Sequence, residues 1–152
     1  KGRGDTYNLR SANHFLWETV GQADGAVDFA AMHDWWKGLI DLRLSEAGEV
    51  FRVGTEVPEG HVRFFAPEDA PQALGWLVGG RVLVLVNTGD QQVYFDLGFG
   101  QFDQGEGPDA WRLAAASDSN GSAVSLDVNL PRETHASFGG VAPKSIQIWV
   151  RR

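Results

Sequence analysis

The sequence contains no cysteine. Disulfides, thiolate metal ligands and a cysteine nucleophile are therefore excluded, and the redox compartment stays open. No apolar run approaches the ~20 residues that a bilayer-spanning helix needs. Positive charge is in deficit: 13 Lys and Arg stand against 20 Asp and Glu, a formal net charge of −7. A field of that sign repels phosphate backbones and anionic lipid, so neither nucleic acid nor a membrane is an expected partner. Several signatures of chemistry are missing too. There is no G-x-S-x-G elbow. There is no P-loop, and no G-x-G-x-x-G follows a strand. The glycine-rich stretch 98–107 (GFGQFDQGEG) lacks the Lys-Ser/Thr step and a following helix, so it reads as a loop.

The ionisable residues present do not assemble into a reactive centre. His14, His33, His61 and His135 have no close metal-pair spacing and are expected as ordinary surface or half-buried residues. Asp103, Glu106 and Asp109 cluster in the glycine-rich stretch. Glycosidic chemistry needs two carboxyls held rigidly about 5–10 Å apart, which such a loop does not provide. The expectation there is a solvated acidic loop, with no catalytic residue, metal site or cofactor assigned. The Arg3-Gly4-Asp5 string is three common residues and carries no weight.

What is present suits a packed core. The 152 residues are 43% hydrophobic and 22% charged, enough for one domain or a small domain plus a piece of another. The chain opens on Lys1 in a polar stretch, and the expectation is a piece of a longer protein. Residues 1–23 read as loop. Residues 24–47 read as one helix: Val27, Ala30, Ala31, Asp34, Trp35, Gly38, Leu39 and Leu42 follow the i, i+3, i+4 rhythm. Phe29, Met32, Trp36 and Ile40 add a second stripe, so a wide buried face is expected. Asp24 is the expected N-cap and Gly48 the expected stop.

Beyond Gly48 the period becomes two. Strands are expected at Val50–Val53, His61–Phe65, Ala73–Val78, Arg81–Asn87, Gln92–Leu97, Trp111–Ala115, Ala123–Val128 and Ser145–Val150. Gly79-Gly80, Asn87–Asp90 and Asn120-Gly121 supply turns. Arg81–Val86 (RVLVLV) is apolar at nearly every position, which predicts a central strand covered on both faces. The pattern predicts a mainly β fold: an antiparallel Greek-key sandwich preceded by one long helix. Of the six tryptophans, Trp35, Trp36, Trp76 and Trp149 are expected in the core. Trp17 and Trp111 border loops and are the candidates for an exposed platform.

Residues 35–52, WWKGLIDLRLSEAGEVFR, resemble the last barrel helix of pullulanase-like enzymes of glycoside hydrolase family 13. The shared pattern is an aromatic pair, Lys-Gly-Leu-Ile, one residue, Leu-Arg, a short gap and Phe-Arg. It is matched by Trp35, Trp36, Lys37, Gly38, Leu39, Ile40, Leu42, Arg43, Phe51 and Arg52. Asp5-Thr6-Tyr7-Asn8 followed by Asn13-His14-Phe15-Leu16-Trp17 is similar to the loop after the eighth barrel strand, except that the family's Ser-Gly-Asp step is missing. Arg81–Asn87 and Val141–Trp149 are similar to the central and closing strands of the C-terminal sandwich.

The resemblance implies that residues 1–48 are the last strand-loop-helix of a (β/α)8 barrel and 49–152 the C-terminal β-sandwich domain. The family's three catalytic carboxylates lie on earlier barrel strands, so the chain alone is expected to be inactive. The implied parent hydrolyses α-glucans. The implied partner is its catalytic barrel, and calcium, where the parent binds it, is not assignable to residues of this chain. Asp5, Tyr7, Asn8 and Asn13 are the positions that approach sugar by analogy. Three roles follow: a non-catalytic domain that stabilises the barrel; an α-glucan-binding module built on Trp111, Phe99 or Phe102; or a free-standing sandwich for protein contacts. The compartment stays open, secreted and cytoplasmic parents both being compatible.

Overall fold

The computed structural model describes residues 23–24, 27–97, 111–118, 121–124 and 140–151. The chain divides into two compact units, residues 1–34 and 35–152. In the first, β1 (Ala23–Asp24) pairs antiparallel with β2 (Val27–Asp28), and helix α1 (Phe29–Leu44) begins. The expected helix start at Asp24 is thus corrected. Asp24 lies opposite Val27 in an antiparallel pair, four residues before the helix starts at Phe29, so it does not cap it.

In the second unit the helix ends at Leu44, before the expected stop. The Ser45 hydroxyl donates to the Leu42 carbonyl at 2.7 Å and ends the run. The Arg52 guanidinium donates to the carbonyl oxygens of Arg43 and Ser45, where the helix dipole favours a cation. A 3-10 turn, Ala47–Phe51, follows, with Gly48 buried in it. A Cβ on Gly48 would overlap the Leu42 carbonyl oxygen, so the glycine serves close approach rather than termination. The strand expected at Val50–Val53 is therefore absent: Val50 and Phe51 belong to this turn.

A six-stranded, wholly antiparallel sheet forms the body, in the order β3 (Val62–Phe65), β4 (Ala73–Val78), β5 (Val82–Asn87), β10 (Ser145–Arg151), β7 (Trp111–Asp118), β8 (Gly121–Val124). A separate ribbon pairs β6 (Val93–Tyr94) with β9 (Gly140–Val141). Each main-sheet strand overlaps an expected run, and β8 differs most: Gly121, expected in a turn, is its first residue, paired with Asp118. The expected Gln92–Leu97 strand is shorter, and the part of Ala123–Val128 beyond 124 lies outside the described residues.

Both faces of the sheet centre are covered. Along β5, Leu83 and Leu85 enter a cluster with Leu77, Phe95, Trp149 and the ribbon's Val93 and Val141. Val82 and Val84 point the other way, into a cluster with Leu42, Ala114, Ile148 and Val150, against which Trp35 and Leu39 pack. The molecule is mainly antiparallel β with one helix, as the sequence predicts.

The β4–β5 connection turns on Gly79 and Gly80, at φ +54° and +67°, with Arg81 N–H donating to the Val78 carbonyl at 3.0 Å. Both torsions are ones that side chains resist, by roughly 1–2 kcal/mol. A Cβ on Gly79 would also stand 2.6 Å from Val50 Cγ1, whereas one on Gly80 meets open space. Gly80→Ala is therefore expected to lower stability by about 1 kcal/mol and Gly79→Ala by about 3 kcal/mol. Urea unfolding midpoints check the order.

Candidate functional site

The helix carries two apolar stripes, and the sheet receives one. Leu42 is 2% exposed and Trp35 and Leu39 are half-buried on the sheet. Trp36, Ile40 and Leu44 are 60%, 54% and 64% exposed. Spaced at i, i+4 and i+8, they form one line along the helix. The expectation of a single wide buried face, with Trp36 in the core, is corrected. The reason is geometric: a sheet contacts an arc of a helix, and the outer arc needs a different neighbour.

A second apolar surface lies where the helix does not reach. Phe64 on β3 is 68% exposed and Leu74 on β4 is 42% exposed. With Val53, Val57 and Trp76 they line a groove of about 480 Å³. Its one histidine is engaged: His61 Nε2 lies 2.8 Å from the Val50 carbonyl oxygen, which ties the 3-10 turn to the start of β3.

His33 is exposed, with Nδ1 3.1 Å from Asp34 Oδ1. Asp90 and Lys144 pair at 2.8 Å on the surface. Their hydrogen bond holds the carboxyl of Asp90 below, and the ammonium of Lys144 above, the usual range. Among the described residues no three His, Asp or Glu side chains gather as a metal site would require. No helix there is long and apolar enough to cross a membrane.

Of the residues singled out from sequence, Asp5, Tyr7, Asn8, Asn13, Trp17, Phe99, Phe102, His14, His135 and the acidic group at 103–109 lie outside the described residues. Trp111 does not. It opens β7 opposite Arg151, is 4% exposed, and packs with Leu83, Leu97 and Trp149. The expected exposed platform is corrected at this residue: being next to a loop in sequence does not decide which face of the strand a ring occupies. Trp149 is buried and Trp76 half-buried, as expected. The exposure of Trp36 has a sequence signal, the second stripe, but not one that tells solvent from core.

No protein-family model, no curated protein and no solved structure matches this chain. What the described surface offers is apolar contact, and its most regular element is the outer stripe of the helix.

Proposed function

We propose that this chain is the non-catalytic C-terminal part of an α-glucan-acting, pullulanase-like glycoside hydrolase, and that it stabilises the catalytic barrel. The observation that carries the reading is the helix with apolar residues on opposite sides and a cover on one. Leu42, Leu39 and Trp35 meet the sheet, while Trp36, Ile40 and Leu44 face outward. A helix apolar on both sides is normally buried on both. In this reading the barrel is the second neighbour. The finer architecture proposed is a Greek-key sandwich of the α-amylase C-terminal type. The position of β10 between β5 and β7, with the β6–β9 ribbon packed on the opposite face from the helix, supports it.

A free-standing role in protein contacts would use the same stripe, and the upstream reading frame separates the two. A barrel with acidic residues at its strand ends supports the first reading, and a start codon near Lys1 the second. The glucan-platform reading loses Trp111, which is buried.

The test uses the barrel produced as a separate polypeptide. The chain is expected to bind it, and Trp36→Glu with Ile40→Glu to weaken that binding at least tenfold. Both positions are more than half exposed, so the unfolding midpoint of the chain should stay nearly unchanged. The chain alone is expected to release no sugar from pullulan, starch or glycogen. Hydrolysis abolished by substituting one of its own carboxylates overturns the proposal.

A further inference from the structure

We propose that the apolar groove over β3 and β4 docks a segment of another polypeptide that is both cationic and apolar. The groove exists because one helix cannot cover six strands. A helix is about 10–12 Å across and strands lie about 4.8 Å apart, so a helix covers roughly two or three of them. Here it covers β5, β10 and β7, where Leu42 joins Val82, Val84, Ala114, Ile148 and Val150. On the same face of β3 and β4, Phe64 stands opposite Trp76 and Val62 opposite Val78. Phe64 and Leu74 stay 68% and 42% exposed there. Val53 and Val57, from the loop before β3, complete the lining. An exposed apolar surface of this kind, rimmed by polar residues, marks an interaction site.

The charge around the groove says what fits it. All of its lining comes from the single stretch 50–78. Residues 49–78 carry Glu49, Glu56, Glu59, Glu68 and Asp69 against Arg52 and Arg63, 2 − 5 = −3. The five acids are exposed, and none forms an ion pair among the described residues. Neither cation balances them. Arg52 donates to the carbonyl oxygens of Arg43 and Ser45. Arg63 alternates to the opposite face of β3, its guanidinium 5.8 Å from the ring centre of Phe65, which packs on the ribbon-side cluster. The acids also stand at both ends of the groove: Glu56 and Glu59 in the loop that leads into β3, Glu68 and Asp69 in the β3–β4 connection.

An apolar floor between unpaired carboxylates is complementary to aliphatic or aromatic side chains flanked by Lys or Arg. A second copy of the chain fits less well, since it brings the same net charge of −7. Trp36, Ile40 and Leu44, the helix stripe assigned above to the barrel, do not line the groove. The two surfaces can therefore be tested independently.

The test selects random dodecapeptides displayed on phage against the whole chain, then measures the selected peptides by calorimetry. They are expected to combine Lys or Arg with aliphatic or aromatic residues and to bind one site saturably. Phe64→Asp should weaken them at least tenfold, although its added negative charge would by itself attract a cation. Leu74→Asp should do likewise and decides the matter if Phe64→Asp lowers the unfolding midpoint. Glu56→Gln with Glu59→Gln should weaken binding severalfold and flatten its dependence on sodium chloride. Asp41→Asn, on the helix, should change nothing. Selection of no peptide, selection of neutral or acidic ones, or binding that survives in the folded Phe64→Asp or Leu74→Asp chain overturns the proposal. Two other occupants would overturn it as well. One is a second copy, shown by a dimer in sedimentation that Phe64→Asp makes monomeric. The other is the barrel, shown if its binding is lost in Phe64→Asp.

Discussion

Asn87→Asp is expected to be among the most damaging single substitutions in the chain. Asn87 ends β5 at 1% exposure. Its amide nitrogen donates to the carbonyl oxygens of Gln91, Val141 and Ala142, at 2.7, 3.1 and 3.1 Å. Its amide oxygen accepts from Gly89 N–H at 2.9 Å. Two hydrogens shared among three acceptors imply one bifurcated bond. These bonds fasten the ribbon strand β9 to the end of the main sheet. Alanine would remove them and strand buried carbonyls, at about 2–4 kcal/mol. Aspartate is nearly isosteric, yet at neutral pH it sets a carboxylate against three carbonyl oxygens. The cost rises to about 3–5 kcal/mol, typical of an uncompensated buried charge. The sign of the pH dependence follows. The folded state would raise this carboxyl's pKa, so the deficit of the aspartate variant should be smallest below its unfolded pKa of roughly 4. It should grow as pH rises through the folded value. Urea midpoints at pH 4 and pH 7 measure both. An aspartate variant as stable as wild type at pH 7 would contradict the bonding described.

Leu42→Ala should cost about 2–5 kcal/mol, whereas Ile40→Ala, two residues away, should cost less than about 1 kcal/mol. Leu42 is 2% exposed against Val82, Val84 and Val150, and its removal leaves a cavity under the helix. Ile40 is 54% exposed and loses little contact within the chain. Thermal unfolding of the two variants compares them. The contrast becomes informative in the presence of the proposed barrel partner. There Ile40→Ala should weaken association, while Leu42→Ala should act through the stability of the chain itself.

The strands were legible because their signal is local. Arg81–Asn87 alternates between two covered faces, and its unbroken apolar run announces that without reference to any other residue. The Gly79-Gly80 turn was legible for the same reason, since positive φ at both positions excludes most side chains. The helix was legible in existence and less so at its ends. At its start Asp24 pairs with Val27 across a short ribbon, a pairing that helical periodicity does not display. At the other end Ser45 closed the helix through its hydroxyl, a bond that periodicity does not display.

Of the cavity that Arg81, Arg112 and Arg151 line, nothing was legible. Arg81, Arg112 and Arg151 are 31 and 39 residues apart in sequence. Only antiparallel register, plus one bulge in β7, brings them to a common cavity.

Sequence alone determined the class of the fold, the identity of the central strand and the position of the Gly79-Gly80 turn. Each of these depends on periodicity or on backbone torsions that neighbouring residues set. Tertiary structure decided what each side chain faces: that Trp111 is core, that Trp36 is surface, and that three distant arginines share one space. Burial is a relation between elements remote in the chain. Two apolar stripes on one helix look alike until the sheet takes one of them and leaves the other to solvent.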